Sequence, residues 1–243
     1  MAILETGAAW FSFKGKKSDA MKVFMLELPV RPAPVESGKR EDVPGVNGGL
    51  WVPEGGYGRI NVSVKLEAGD GADMDAVNAW LSGGGDLVFG DEPNRAYRAR
   101  ITKSADRSCT RRRLNRSWKQ GFDCEPFRYL HPEMNAIEIS ASGTKISNPG
   151  TVGAQPLIRV SGSGDGTLMI GGATMLLSGM SAPVYLDCEA KMAFTGEGTA
   201  SSPRVLATQH VTGEWIEIAP GDSYVTFTGG ITGVRIAPRW RFL

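Results

Sequence analysis

The sequence is poor in cysteine, in histidine and in long apolar runs, and each shortage removes a class of function. Its three cysteines, Cys109, Cys124 and Cys188, stand far apart with no Cys-x-x-Cys pair. So sparse and odd a set argues against a disulfide framework and for thiols made or kept in a reducing compartment. The two histidines, His131 and His210, have no metal-like neighbour spacing. They read as surface or loop residues, and neither a metal site nor a His-dependent triad has enough members. No apolar stretch approaches the roughly 20 residues of a membrane helix. The start, MAILETGAAWFSFKGKK, lacks the basic segment and apolar core of a secretory signal. Charge of one sign is missing as well. With 27 Lys and Arg against 26 Asp and Glu the formal net charge is +1, so no overall field favours nucleic acid, an anionic membrane or an acidic substrate.

What is present is a chain of 243 residues with 41% hydrophobic and 22% charged content, enough for a real core in one large or two smaller domains. The 32 glycines and 14 prolines show no collagen period; with Val, Ile, Thr and aromatic alternation they indicate many strands joined by tight turns. One helix interrupts them. Met74, Val77, Trp80 and Leu81 recur at helical spacing on one stripe. Asp73 is placed to cap its start, Gly83 to end it, and Asp75 meets the positive end of the helix dipole. So short a helix needs tertiary support, and Trp80 is the expected anchor.

The remaining chain reads as follows. Trp10, Phe11 and Phe13 open a strand, expected to form a hairpin with the apolar run 21–28 through the turn at Gly15, Lys16 and Lys17. Pro29, Pro32 and Pro34 then interrupt any ladder, so this stretch is edge-like or looped. A charged strand is expected over 39–43, and Ile60, Val62, Val64 and Leu66 alternate strictly with polar residues, one face buried and one wet. After the helix come Leu87 to Phe89, the turn Asp91-Glu92-Pro93-Asn94, and a strand with Tyr97, Ala99 and Ile101. Trp118 to Tyr129 reads as a strand and its exit. A composition shift at His131-Pro132-Glu133 places a domain boundary near residue 132, giving domains 1–131 and 132–243. In the second, the expected strands are 157–160, 167–170, 173–177, 184–187, 191–194, 214–218, 223–228 and 233–237. The glycine-rich SGSGDG at 161–166 lacks a phosphate loop's Gly-Lys-Ser/Thr ending and reads as a hairpin turn.

No catalytic constellation emerges. Gly162-Ser163-Gly164 is not a strand-to-helix nucleophile elbow. Asp187 and Glu189 share a strand face as a glycosidase pair would, but charged strand residues commonly just face solvent. Asp70, Asp73 and Asp75 lack the glycine and closing glutamate of a calcium loop and are better explained by capping. The basic run with Arg107, Arg111, Arg112, Arg113, Arg116 and Lys119 is either a phosphate-contacting patch or a solvated or subunit-facing strand pair. Trp215 and Tyr224 are candidates for stacking a sugar, although aromatics in alternating strands are more often core. No cofactor is implied.

The order of several motifs carries a resemblance. The acid-capped helix with its Trp80-Leu81 pair, the glycine break, the Leu87-x-Phe89 strand, the Asp91-Glu92-Pro93 turn and the aromatic-basic strand form one block. Val43-Pro44-Gly45 with Gly48-Gly49-Leu50-Trp51, the strand exit Glu125-Pro126-Phe127, and the ending Pro238-Arg239-Trp240-Arg241 follow the same pattern. Together they resemble the distal tail protein family of long-tailed bacteriophages. The resemblance implies a mainly β protein with an N-terminal ring domain, carrying one short helix and a β-hairpin, and a C-terminal galectin-like or carbohydrate-binding-module-like β-sandwich. It implies a hexameric homo-oligomer at the virion tail tip, assembled in the bacterial host cytoplasm. The ring would join the tail tube protein to the tail-tip hub and to receptor-binding or baseplate proteins, with DNA as passing cargo and no membrane insertion. A ring closes when one patch meets a different patch on the next subunit at a closing angle. The candidate edges are the helix and hairpin around Trp80 and Tyr97, the proline stretch at Pro32, and Arg111, Arg112 and Arg113. The alternative reading is a carbohydrate-binding module for host-surface glycans, with the C-terminal sandwich as its working part.

Overall fold

The computed structural model describes residues 9–45, 47–102, 117–132 and 136–243. The protein is mainly β, with one α-helix among the described residues. Its chain divides into two compact units, Met1–His131 together with Leu243, and Pro132–Phe242.

The first unit holds β1 (Phe11–Phe13), β2 (Lys16–Lys17), β3 (Val23–Met25), β4 (Glu36–Glu41), β5 (Leu50–Tyr57), β6 (Ile60–Ala68), α1 (Met74–Trp80), β7 (Gly84–Phe89), β8 (Arg95–Arg100) and β9 (Ser117–Leu130). Its main sheet runs β2-β1-β7-β8-β9-β6-β3. β6 obeys the period of two: Ile60, Val62, Val64 and Leu66 are buried, and the residues between them face outward. The Asp91–Asn94 turn joins β7 to β8 as expected. α1 is capped by Asp73, whose carboxylate accepts from the backbone N–H groups of Asp75 and Ala76 at 3.0 and 3.2 Å. It ends at Leu81, two residues before Gly83. Trp80 anchors it: the ring stacks on Phe11 at 5.3 Å, and the indole N–H donates to the Phe13 carbonyl at 2.8 Å. Phe122 of β9 closes the cluster edge-on against Phe11 and Phe13.

Two expectations here require correction. The run 21–28 does not pair with β1, which lies between β2 and β7. A 3-10 turn over Asp19–Met21 and a left-handed Lys22 redirect the chain, so β3 pairs with β6 at the far edge of the sheet. The charged strand begins earlier than expected, at Glu36, and pairs only with β5 as a separate two-stranded ribbon. Val30 in the proline stretch makes an isolated bridge to Ser63, as an edge segment should.

The second unit holds β10 (Ile137–Ile139), β11 (Thr144–Asn148), β12 (Leu157–Ile170), β13 (Ala173–Met180), β14 (Val184–Asp187), β15 (Met192–Thr195), β16 (Val205–Leu206), β17 (Val211–Gly213) and β18 (Gly221–Ala237). One antiparallel sheet runs β10-β18-β12-β14-β15-β16, with β11 added on β18, β13 on β12, and β17 on β13. SGSGDG is no hairpin turn. It is an irregular bulge inside β12, which stays paired with β18 on both sides of it. The two segments 223–228 and 233–237 are likewise one strand, β18. The glycines have a different task from chain reversal: a Cβ on Gly162 would strike the Gly230 carbonyl, and one on Gly230 the Ser163 carbonyl. Only glycine lets two backbones approach so closely while the strands bend. The stretch 214–218 also differs. The strand stops at Gly213, and Ile218 makes only an isolated bridge to Ala154.

Candidate interaction surfaces

In the first unit the structure brings two expected contact residues into one cleft. Pro32 and Tyr97 line a cavity of about 590 Å³ with Arg31, Tyr57, Pro126 and Arg128. A carboxylate turn fixes its walls. Glu92 accepts from Arg31 at 3.1 Å and from Arg128 at 2.8 Å, and Arg31 also pairs with Asp91. The Arg31 guanidinium lies 5.0 Å over the Phe89 ring, so the proline segment is held to the β7–β8 hairpin by planar, bidentate-capable chemistry. Burial pushes the Tyr97 phenol upward, against the pull of Arg128 and Arg31.

The unit also leaves several large apolar side chains exposed. Val30 is 82% exposed and Trp51 49%, and Phe24, Leu26, Leu28, Val35 and Leu50 are exposed as well. The β4–β5 ribbon carries Leu50 and Trp51 and has no third strand among the described residues. Its base is fixed by Tyr57 packing edge-on against Phe127 at 5.6 Å. A two-stranded ribbon is marginal in water by itself, and its neighbouring exposed Leu50 and Trp51 are the kind of apolar side chains that a partner surface covers.

In the second unit Asp187 and Glu189 do not simply face solvent. Arg239 donates to Asp187 at 2.8 and 3.2 Å and to Glu189 at 3.1 Å. Burial, the largest single influence, would raise the Asp187 carboxyl; the hydrogen bond and charge of Arg239 together with the backbone amides of Ala190 and Glu189 outweigh it and hold the carboxyl below its ordinary value. This is a structural clamp, in which both carboxylates are occupied by one guanidinium. Tyr224 stands 60% exposed on β18 opposite Lys145, and Trp215 is half-buried after β17. Neither lines the cavity of about 410 Å³ formed by Ala136, Leu157, Arg159, Tyr185, Phe194, Glu197, Arg204, Arg235 and Ala237.

No protein-family model matches the chain, and no curated protein does. Among solved structures, the chain matches the crystal structure of Dit (gp 19.1) of phage SPP1, described as a paradigm of the hub adsorption apparatus in phages infecting Gram-positive bacteria. The TM-score is 0.69 at 16% sequence identity, covering 96% of this chain and 99% of that one. The chain has the distal tail protein fold.

The distal tail fold accounts for both units, because the match runs over nearly the whole of each chain. On it, Trp80 is a buried anchor and Tyr97 a buried cleft wall, so any subunit contact they support is made by the elements they position. Arg111, Arg112 and Arg113 lie outside the described residues, as do Arg107, Arg116 and Cys109. Cys124 and Cys188 are free and buried, and burial pushes each thiol up to about 12. Among the described residues no group of three or more His, Cys, Asp or Glu is placed to hold a metal ion, and no helix is long and apolar enough to cross a membrane. The residues that single-strand patterns missed are Arg159, Tyr185, Phe194, Arg204 and Arg235, whose association appears only when strand register is known.

Proposed function

We propose that this protein is a structural component of a phage or prophage tail, a distal tail protein forming a hexameric ring at the tail tip. The observation that carries the reading is the match of both units to SPP1 Dit. The exposed apolar side chains of the first unit and its uncompleted β4–β5 ribbon support it, since they ask to be covered by a neighbouring copy or tail protein. In this reading the segment 1–131 builds the ring, with the proline stretch at Pro32, the helix and hairpin from Trp80 to Tyr97, and Arg111, Arg112 and Arg113 supplying its edges. One ring face meets the tail tube and the other the tail-tip hub, leaving a channel for DNA. The segment 132–243 carries receptor-binding or baseplate proteins. The work done is assembly and transmission, not bond chemistry.

The test is the mass of the purified protein over a range of concentrations, by light scattering after size exclusion, with negative-stain images of the largest species. A six-fold ring with a central hole is the expected result. Trp51→Ser, on the exposed ribbon, and Arg112→Glu should each shift the equilibrium toward monomer. A strict monomer at every concentration, with and without tail tube protein, would refute the ring.

A further inference from the structure

The unassigned cavity of the second unit is built by one row of residues across five strands. The register places Glu138, Arg235, Arg159, Tyr185 and Phe194 as successive opposite partners on β10, β18, β12, β14 and β15. Directly opposite residues project from the same sheet face, and this face is turned away from the core: Ile158, Val160, Val234 and Ile236, which alternate with the arginines, are buried on the other. Tyr185 and Phe194 stack with centroids 5.3 Å apart and planes 2° from parallel. The Arg204 guanidinium lies 4.6 Å over Phe194, and that of Arg159 6.0 Å from the centre of Tyr185. Four planar groups therefore stand side by side, Arg159, Tyr185, Phe194 and Arg204.

The electrostatics of this stack are unbalanced. Three arginines line the cavity and one carboxylate, Glu197, accompanies them. Arg235 is paired with Glu138 at 3.1 Å; neither Arg159 nor Arg204 has an ion pair among the described residues, and the Arg159 Nε is buried without a hydrogen-bond partner. A guanidinium held against an aromatic face keeps its N–H edge free and fixed in direction, which suits bidentate contact to a carboxylate or phosphate. Glu197, reached by the Tyr185 hydroxyl at 3.4 Å, adds an acceptor where an acidic peptide would meet only repulsion. Leu157, Ala136 and Ala237 add apolar wall. Guanidinium donors, one carboxylate acceptor and an apolar wall in an open cleft are what a sugar ring with an anionic substituent needs: its hydroxyls donate to Glu197, its charge meets the arginines, and its C–H surface covers the alanines and leucine.

We propose that this cleft binds a saccharide bearing a carboxylate or phosphate group. The proposal stands apart from the ring reading, and a monomeric chain tests it equally. The experiment is calorimetric titration of the full-length protein with trigalacturonate and with glucose 6-phosphate. The methyl-esterified neutral trisaccharide, inorganic phosphate and a hexaglutamate peptide are the comparisons. At least one of the two anionic carbohydrate-type probes should bind at least about tenfold tighter than all three comparisons, and which one does so identifies the anionic group. Arg204 is exposed, so Arg204→Glu should fold normally by circular dichroism and weaken binding about tenfold, the loss expected of one charge-assisted contact. Arg204→Lys should retain most affinity, and Arg159→Gln should lose it independently. Equal binding of the neutral ester, equal binding of free phosphate, tighter binding of the peptide, or no binding of either anionic probe would each overturn the proposal.

Discussion

Replacing Trp80 tests the central claim about how the first unit is held together. Its side chain is 7% exposed, lies on Phe11 at 5.3 Å, and donates to the Phe13 carbonyl at 2.8 Å. Two contributions can be separated. Truncation of a core Trp to Ala costs about 3–5 kcal/mol through lost transfer energy and the cavity left behind. Trp80→Phe keeps a ring on Phe11 and removes the indole N–H; with a hydrogen bond worth about 0.5–1.5 kcal/mol net and a smaller void, the expected cost is about 1–3 kcal/mol. Asn78→Ala, on the exposed side of the same helix, should stay within about 0.5 kcal/mol of wild type. Because the two units need not unfold together, the assay is hydrogen exchange read peptide by peptide. The amides of β1, β9 and α1 should lose protection in that order of severity, Ala worse than Phe, while those of β12 and β18 stay unchanged. If Trp80→Ala left the protection of β1 and β9 intact, the helix would be an ornament on the sheet and not its anchor.

Three further outcomes are expected. Arg239→Ala should cost about 1–2 kcal/mol, since it strips hydrogen bonds to charged groups from two partly buried carboxylates. The Asp187 carboxyl is depressed in the folded state, so this stabilisation is full above the unfolded value of about 3.9 and fades as the pH falls below it; urea titrations from pH 7 to 3 should show the wild type and variant converging in acid. Gly230→Ala should destabilise by about 1–3 kcal/mol through overpacking against the Ser163 carbonyl, whereas Gly58→Ala, with only an ordinary contact to the Val35 carbonyl at 3.8 Å, should be near neutral in the same thermal melt. A Cys109→Ser protein should show no thiol reactive to a disulfide reagent at pH 8 until it unfolds, because Cys124 and Cys188 are buried with thiols pushed up to about 12; prompt labelling of either would refute their burial.

Local signals were readable in the sequence and long-range ones were not. Alternation in 60–66 and the Asp73 cap depend on neighbours within a few residues, and the structure shows both. The partner of β1 does not: the same apolar run that looked like its hairpin mate is carried off by a left-handed Lys22 to the opposite edge. Glycine composition is equally ambiguous at 161–166, because a reversal and a bulge use the same residue. Which one forms is decided by Gly229 and Gly230, far along the chain, lying against the same backbone. Asp187 looked like a solvent-facing residue because its cation stands 52 positions away. The arginine-aromatic row was hidden for the same reason. Arg159 and Arg235 each read as outward residues of an alternating strand, and only the register sets them side by side with Tyr185 and Phe194. The motif order running the length of the chain, by contrast, was sufficient to point to the distal tail fold, which the match to a solved structure supports at 16% identity.

The bulged strand pair has a mechanical meaning. Had 161–166 reversed the chain, it would have left a soft joint midway along the second unit. Instead β12 and β18 pass through it without parting, and smaller strands attach on either side of the bend. From β16 through β15, β14 and β12 into β18, and onward to β11, one hydrogen-bonded row follows another without a break. These interfaces lie in series, so a load would part the sheet first at the two residue pairs between β15 and β16, while the long β12–β18 pair holds through its bend.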